Sequence, residues 1–218
     1  MHKAVALALS LVLLPGCGIF VEPYVTIEPK VNLAKKKRLL VVPFSDSQHL
    51  YFDSADGVEL AELIIGEVQA GVPKARLVEL EELRRLYGGQ DLESVGWTTV
   101  GQALGADYVL VGRINSFTLR DPRTPNFLLG NLTLDLRVVS VADGSVVFRP
   151  PRSETVFRWS ETGDPEIGTP EFDTTPEKIR QGTLELAARR ISDYFCRRQV
   201  NRTEWLRRQH RGRQMLSP

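Results

Sequence analysis

The order of apolar patterns in this chain predicts an α/β fold, a single domain with a mixed β-sheet, helices packed against it and a long carboxyl-terminal helix. Three observations carry that expectation. The apolar run 38–44 fits a strand buried on both faces, and 106–119 is the strongest strand candidate in the chain. Segments of helical period stand between and after them, at 56–71, 81–87, 99–105 and from 175 onward. Clean alternation over 131–141, followed by Asp143-Gly144, marks an antiparallel return. The resulting order, β-α-β-α-α-β-β-β-β-α, suits helices laid against a sheet.

The chain of 218 residues opens with Lys3 and then an uninterrupted small and apolar run of eleven residues, Ala4 to Leu14. A membrane-spanning helix needs roughly 20 residues, so this run reads as a secretory signal. It ends in Leu14-Pro15-Gly16-Cys17. That end resembles the lipobox of bacterial lipoproteins, with Leu three places before the cysteine and a small residue just before it; Pro15 departs from the usual residue there. The resemblance implies that residues 1–16 are removed as a signal peptide and that the Cys17 thiol carries diacylglycerol. A second acyl group on the new amino terminus would hold the chain to a membrane stably. Gly18 follows the cysteine, not the Asp that the resemblance associates with inner-membrane retention. The outer membrane, facing the periplasm, is therefore the expected address.

Residues 17–37 read as the lipidated amino terminus and a tether, with two prolines, mixed polarity and the basic cluster Lys35-Lys36-Lys37-Arg38. Removing this segment is not expected to unfold the domain, which is placed at 38–196. Arg38 to Phe44 is the first strand. Asp56-Gly57-Val58-Glu59 matches a capping box, Asp56 accepting from the helix start and Glu59 reaching back. Leu60, Ala61, Ile64 and Val68 then recur at helical spacing, and Gly71 with Pro73 closes the element. Arg76 to Leu80 is a short strand, and Glu81 to Tyr87 a helix stopped by Gly88-Gly89. Thr99 to Gly105 is a further helix, leading into the strand Ala106 to Leu119. Leu132, Leu134, Leu136 and Val138 share one face of the next strand, which returns through Ser145 to Phe148. Thr155, Phe157 and Trp159 alternate after Pro150-Pro151. Thr175-Pro176 starts the last helix, with proline at its first position. Leu184, Ala187, Ala188, Ile191 and Phe195 form its buried stripe.

Composition is that of a globular chain, 42% hydrophobic and 25% charged, with a net charge of +1. The charge is unevenly placed. Glu161 to Glu177 holds six acids and no Lys or Arg, while the tail 197–218 is basic. Arg197, Arg198, Arg202, Arg207, Arg208, Arg211 and Arg213 stand there against one acid, Glu204. Guanidinium forks match carboxylate and phosphate geometry, so these seven are candidate contacts to a partner, an anionic cell wall or lipid. Nucleic acid is not an expected partner, because the signal directs the chain out of the cytoplasm.

No common constellation of catalytic residues stands out. The mature chain has two histidines, His49 and His210, neither with a cysteine or carboxylate at ligand spacing, so no metal site is expected. No G-x-S-x-G elbow, P-loop or G-x-G-x-x-G follows a strand. Glu81 and Glu82 open a helix, where they complement its dipole rather than suggest acid–base chemistry. The acidic stretch lacks a calcium loop's register and contains Pro165, Pro170 and Pro176, which favour an exposed linker. Asn131 and Asn201 match glycosylation sequons by pattern only. Cys196 is the sole cysteine besides Cys17, so no disulfide framework is expected, and it reads as a partly buried thiol. These readings predict a non-enzyme with no cofactor beyond the lipid on Cys17.

The run Leu104–Gly112 (LGADYVLVG) follows Val41–Phe44 (VVPF) and Leu77–Leu80 (LVEL), and precedes Leu134–Gly144 (LDLRVVSVADG). In that order, over roughly Arg38 to Phe195, these motifs resemble a group of envelope proteins related to the curli-secretion lipoprotein and the TolB amino-terminal domain. The resemblance implies a nucleotide-free, adaptor-like periplasmic domain whose relatives act through protein contacts. Those relatives take part in secretion, flagellar and cell-wall-synthase assembly. It also implies membrane-spanning hairpins for the curli members, where each strand needs about 9–11 residues. The connection Arg120 to Gly130 has eleven residues, including Pro122 and Pro125, and Pro150-Pro151 interrupts the second possible site. A secretion pore is therefore not expected. The expected function is a non-catalytic outer-membrane lipoprotein whose domain binds or helps assemble another envelope protein. A scaffold contacting anionic wall or lipid through the arginine tail is the second reading, and a periplasmic enzyme of unrecognised type the third. The partner's identity and the oligomeric state stay open.

Overall fold

The structure, a computed structural model, describes residues 24–33, 37–46, 54–88, 90–121, 124–152, 155–160 and 175–203. The signal, Cys17, both histidines, the acidic stretch 161–174 and the tail beyond 203 lie outside the described residues. The strands are β1 (Tyr24–Ile27), β2 (Arg38–Val41), β3 (Ser45–Asp46), β4 (Arg76–Leu77), β5 (Tyr108–Asp121), β6 (Thr124–Ser140), β7 (Val146–Phe148), β8 (Val156–Trp159) and β9 (Arg198–Asn201). The helices are α1 (Ala55–Gly71), α2 (Leu80–Tyr87), α3 (Leu92–Val95), α4 (Trp97–Ala103) and α5 (Pro176–Ser192).

Seven strands form one open sheet in the order β4-β2-β5-β6-β7, with β3 beside β5 and β8 beside β6. The β4, β2, β3 and β5 pairings are parallel, whereas β5–β6, β6–β7 and β6–β8 are antiparallel. The α/β class with a mixed sheet is thus as the sequence predicts. Helices lie against both faces. Leu39 and Val41 pack with α1 and α5 residues such as Ile64 and Leu184, while Leu40 and Val42 pack with Leu83, Leu92 and Val100 of α2, α3 and α4. That two-sided burial is why 38–44 reads as a continuous apolar run.

Helix α1 begins earlier than the capping box implied. Ser54 is the cap, its Oγ accepting from Gly57 N–H at 3.0 Å. Asp56 and Glu59 therefore fall inside the first turns and are free to look outward. Arg180 of α5 takes both: its Nε donates to Asp56 at 2.7 Å and its Nη2 to Glu59 at 2.6 Å. Burial disfavours the Arg180 charge, but the two carboxylates more than offset this and hold its pKa above the usual range. The box is replaced by a clamp between α1 and α5.

Residues 26–199 form one compact unit; residues 1–25 and 200–218 cluster separately, and of these only 24–25 and 200–203 are described. Two boundaries differ from expectation. Within the segment read as a tether, Tyr24–Ile27 is a strand that pairs with β9, and Val31 and Leu33 are buried in the α1–α5 core. The N–H groups of Lys30 and Val31 both donate to the Tyr194 carbonyl, at 2.8 and 2.9 Å. Two apolar residues flanking Asn32 are too few to register as a pattern, yet they fill a slot made by distant chain. Likewise the tail begins as a strand, since Arg198–Asn201 is β9.

The stretch 120–130 also differs. Residues 120–121 and 124–130 are strand rather than connection: β5 and β6 run 14 and 17 residues and pair as far as Asp121↔Thr124. Pro125 obscures the alternation, but there β6 pairs with β5 alone among the described residues, so the missing N–H is tolerated. This two-stranded stretch, β6 residues 124–129, remains shorter than the roughly 9–11 residues of a membrane strand. Smaller differences are that the strand expected at 76–80 is only Arg76–Leu77, and that α3 was not anticipated.

Candidate functional site

The motif Leu104–Gly112 turns out to be built for structure. Leu104 is buried and ends α4, and Gly105 takes φ +63°, a conformation that favours glycine. Asp107 then joins the starts of two strands: its carboxylate accepts from Lys37 Nζ at 2.7 Å and from the Arg38 N–H at 2.7 Å. The hydrogen bond from Lys37 holds the Asp107 pKa below its usual value of 3.8, against the opposing effect of burial, with the Arg38 amide adding to the lowering. A carboxylate whose folded pKa is depressed contributes stability above its unfolded pKa, and that contribution is lost as pH falls through the folded value. Asp107→Asn should cost about 1 kcal/mol at pH 7. The gap between variant and wild type in urea melts should narrow as the pH drops below about 4. A gap that is constant with pH would remove the charge from this account.

The predicted tail arginines divide into three groups. Arg197 donates to Glu28 through Nη2 at 2.5 Å and Nε at 2.9 Å, and this contact raises its pKa. Arg198 forms an ion pair with Asp193, while its buried Nε has no partner. Arg202 is exposed at the end of the described chain. Arg207, Arg208, Arg211 and Arg213, like Cys17, lie outside the described residues. Two of the seven candidate anion contacts are therefore already matched by carboxylates of the same chain.

The remaining titratable clusters have structural partners too. Glu81 accepts from Arg84 at 2.8 Å, and Glu82 from Arg38 at 2.8 Å. Glu82 and Arg38 line an open cleft of about 560 Å³ together with Leu77, Glu79, Glu81 and Arg85. Its walls mix both signs of charge. Cys196 packs against Gly71, where an added Cβ would stand 2.4 Å from its Sγ. Burial, with the charges of Asp193 and Glu67, raises the thiol pKa, which disfavours the reactive thiolate. Among the described residues there is no group of three or more metal-ligating side chains, and no helix is long and apolar enough to cross a membrane.

No protein-family model matches the chain, and no curated protein matches it. Solved structures do. The PelC dodecamer from Paraburkholderia phytofirmans is similar with a TM-score of 0.44 and 14% identity, over 80% of this chain and 98% of that one. Lipoprotein GNA1162 from Neisseria meningitidis gives 0.41 and 11%, over 58% and 84%. The LpoB C-terminal domain from Escherichia coli gives 0.38 and 17%, over 58% and 84%. None of these three is a curli-secretion protein or TolB, so that resemblance stays a reading of the sequence motifs.

Proposed function

We propose that this chain is a lipid-anchored protein of the bacterial outer membrane whose α/β domain faces the periplasm and acts by binding another envelope protein. The observation that carries the reading is Leu14-Pro15-Gly16-Cys17 at the end of a run too short to span a bilayer. The geometry adds support: Asp107, Glu82, Asp56 and Glu59 are each engaged by an Arg or Lys of another segment in holding elements together. That arrangement suits a domain that presents a surface better than one that turns over a substrate. Chemical crosslinking in intact cells, then capture of the full-length protein from membranes, tests it. One envelope protein should be recovered in proportion to the bait. Recovery of none, with the crosslinker shown to reach the periplasm, contradicts the reading.

The arginine tail supports a second, narrower role. Arg197 and Arg198 are matched internally, so contact with anionic wall or lipid falls to Arg202, Arg207, Arg208, Arg211 and Arg213. Each basic residue near an anionic membrane contributes roughly 1 kcal/mol, and tethering raises the effective concentration. Deleting residues 204–218 should leave the melt unchanged and weaken binding to anionic vesicles, with steep salt dependence in the intact protein. Equal binding by both forms at low salt would leave the tail with no such role.

A further inference from the structure

The face of the sheet opposite α5 changes character along its length. Val109, Val111, Val139 and Val141 are covered by α2–α4. Beyond them the same face is polar. Leu132, Leu134, Leu136 and Phe157 point to the α5 side, so Asn131, Thr133, Asp135, Arg137 and Arg158 point away from it. Of these, Asp135 and Arg158 are exposed, and Asn131, Thr133 and Arg137 are half-buried.

The charge on this face is predominantly positive. Arg113 stands opposite Asp135 across the β5–β6 ladder and reaches Glu93 at 3.6 Å, and Arg149 reaches Asp135 at 3.1 Å. The side chains of Arg137 and Arg158 make no ion pair or hydrogen bond among the described residues. Arg158 lies opposite Asn131, and Arg137 stands six positions further along β6 than Asn131. At about 3.4 Å per residue the two unmatched guanidiniums are anchored roughly 20 Å apart. Beside Arg158, the buried Oδ1 of Asn131 has no donor.

From this arrangement we infer that the open face around Arg137, Arg158 and Asn131 binds an extended acidic peptide segment of a partner protein. The span selects for a chain carrying several anions, since one phosphate reaches one guanidinium only. A peptide carries its carboxylates on one flexible chain that can span this distance, whereas lipid phosphodiesters sit on separate molecules. Guanidinium–carboxylate pairing is moreover the chemistry the face already shows at Arg149 and Asp135. The inference rests on the partner-binding reading above and names the surface it would use.

The test titrates the detergent-solubilised full chain with a fluorescein-labelled peptide of eight alternating Glu and Ser residues. Inorganic phosphate and phosphatidylglycerol vesicles serve as separate ligands. The peptide should bind, and Arg137→Gln with Arg158→Gln should weaken it by at least about tenfold. Arg158→Gln alone, at an exposed position, should weaken it with no change in melt, and Arg76→Gln at the far sheet edge should have no effect. Equal affinity in the double variant, or vesicle binding that depends on both arginines while the peptide does not bind, overturns the inference. In cells, capture of a partner equally by wild type and double variant overturns this face and leaves the partner reading standing. Arginine-dependent peptide binding with no partner in cells supports the face and removes the partner reading.

Discussion

Gly57→Ala should destabilise the domain by about 3 kcal/mol, a core-overpacking effect at the upper end of its usual range. Gly57 lies in the first turn of α1, where that helix crosses the end of the run after β2. A Cβ there would sit 1.9 Å from the Phe44 carbonyl oxygen and 2.9 Å from its carbon. Both are backbone atoms, so no side-chain rotation relieves the clash. Phe44 is fixed in turn, because its N–H donates to the Gly57 carbonyl at 3.2 Å and its ring fills the space over Gly112. The helix must therefore lift, and Leu60, Ala61, Ile64 and Val68 lose packing with it. Gly66→Ala provides the contrast, since a Cβ at Gly66 meets nothing within 4 Å. It should be neutral or stabilising by up to about 1 kcal/mol through helix propensity. Equal effects in urea melts of the two variants would mean that α1 does not sit this close to Phe44.

Leu33→Ala should cost about 2–5 kcal/mol, the scale of deleting a fully buried leucine. Leu33 is 1% exposed, and neighbouring Val31 joins the same core while its N–H and that of Lys30 fasten the segment to Tyr194. A protein lacking residues 17–34 should accordingly melt far below one lacking residues 17–23, which lie before the described chain. A change within about 0.5 kcal/mol for Leu33→Ala, the range of ordinary surface substitutions, would restore the segment to a tether.

What could be read from the sequence follows from how local each signal is. The strand at Arg38–Val41, the helix carrying Leu60, Ala61, Ile64 and Val68, and the alternation of Leu132, Leu134, Leu136 and Val138 all declare themselves within a few residues. So do the turn at Asp143-Gly144, where Gly144 takes φ +71°, and Pro176 at the start of α5. The misread parts depend on distant partners. Asp56 and Glu59 looked like a capping pair because their true partner, Arg180, stands more than a hundred positions away. β1 needs β9 to exist as a strand, and Glu28 meets Arg197 across a still longer separation. Pro125 masked the far end of the β5–β6 ribbon, where proline is harmless because no third strand is described there. The candidate surface shows the same limit: Arg137 and Arg158 carry no signal in the sequence, because only the pairing of β8 with β6 brings them to one face.

The central claim is an anchored envelope protein, and intact-mass measurement on the full chain extracted from membranes tests it most directly. The expected species begins at Cys17 and carries diacylglycerol on its thiol, with further acylation at the amino terminus where the second signal for stable anchoring is supplied. A Cys17→Ser variant should lose that mass and leave the membrane fraction. A chain with an unmodified Cys17 that retains residues 1–16, or a Cys17→Ser variant processed and membrane-bound like the wild type, would contradict the account.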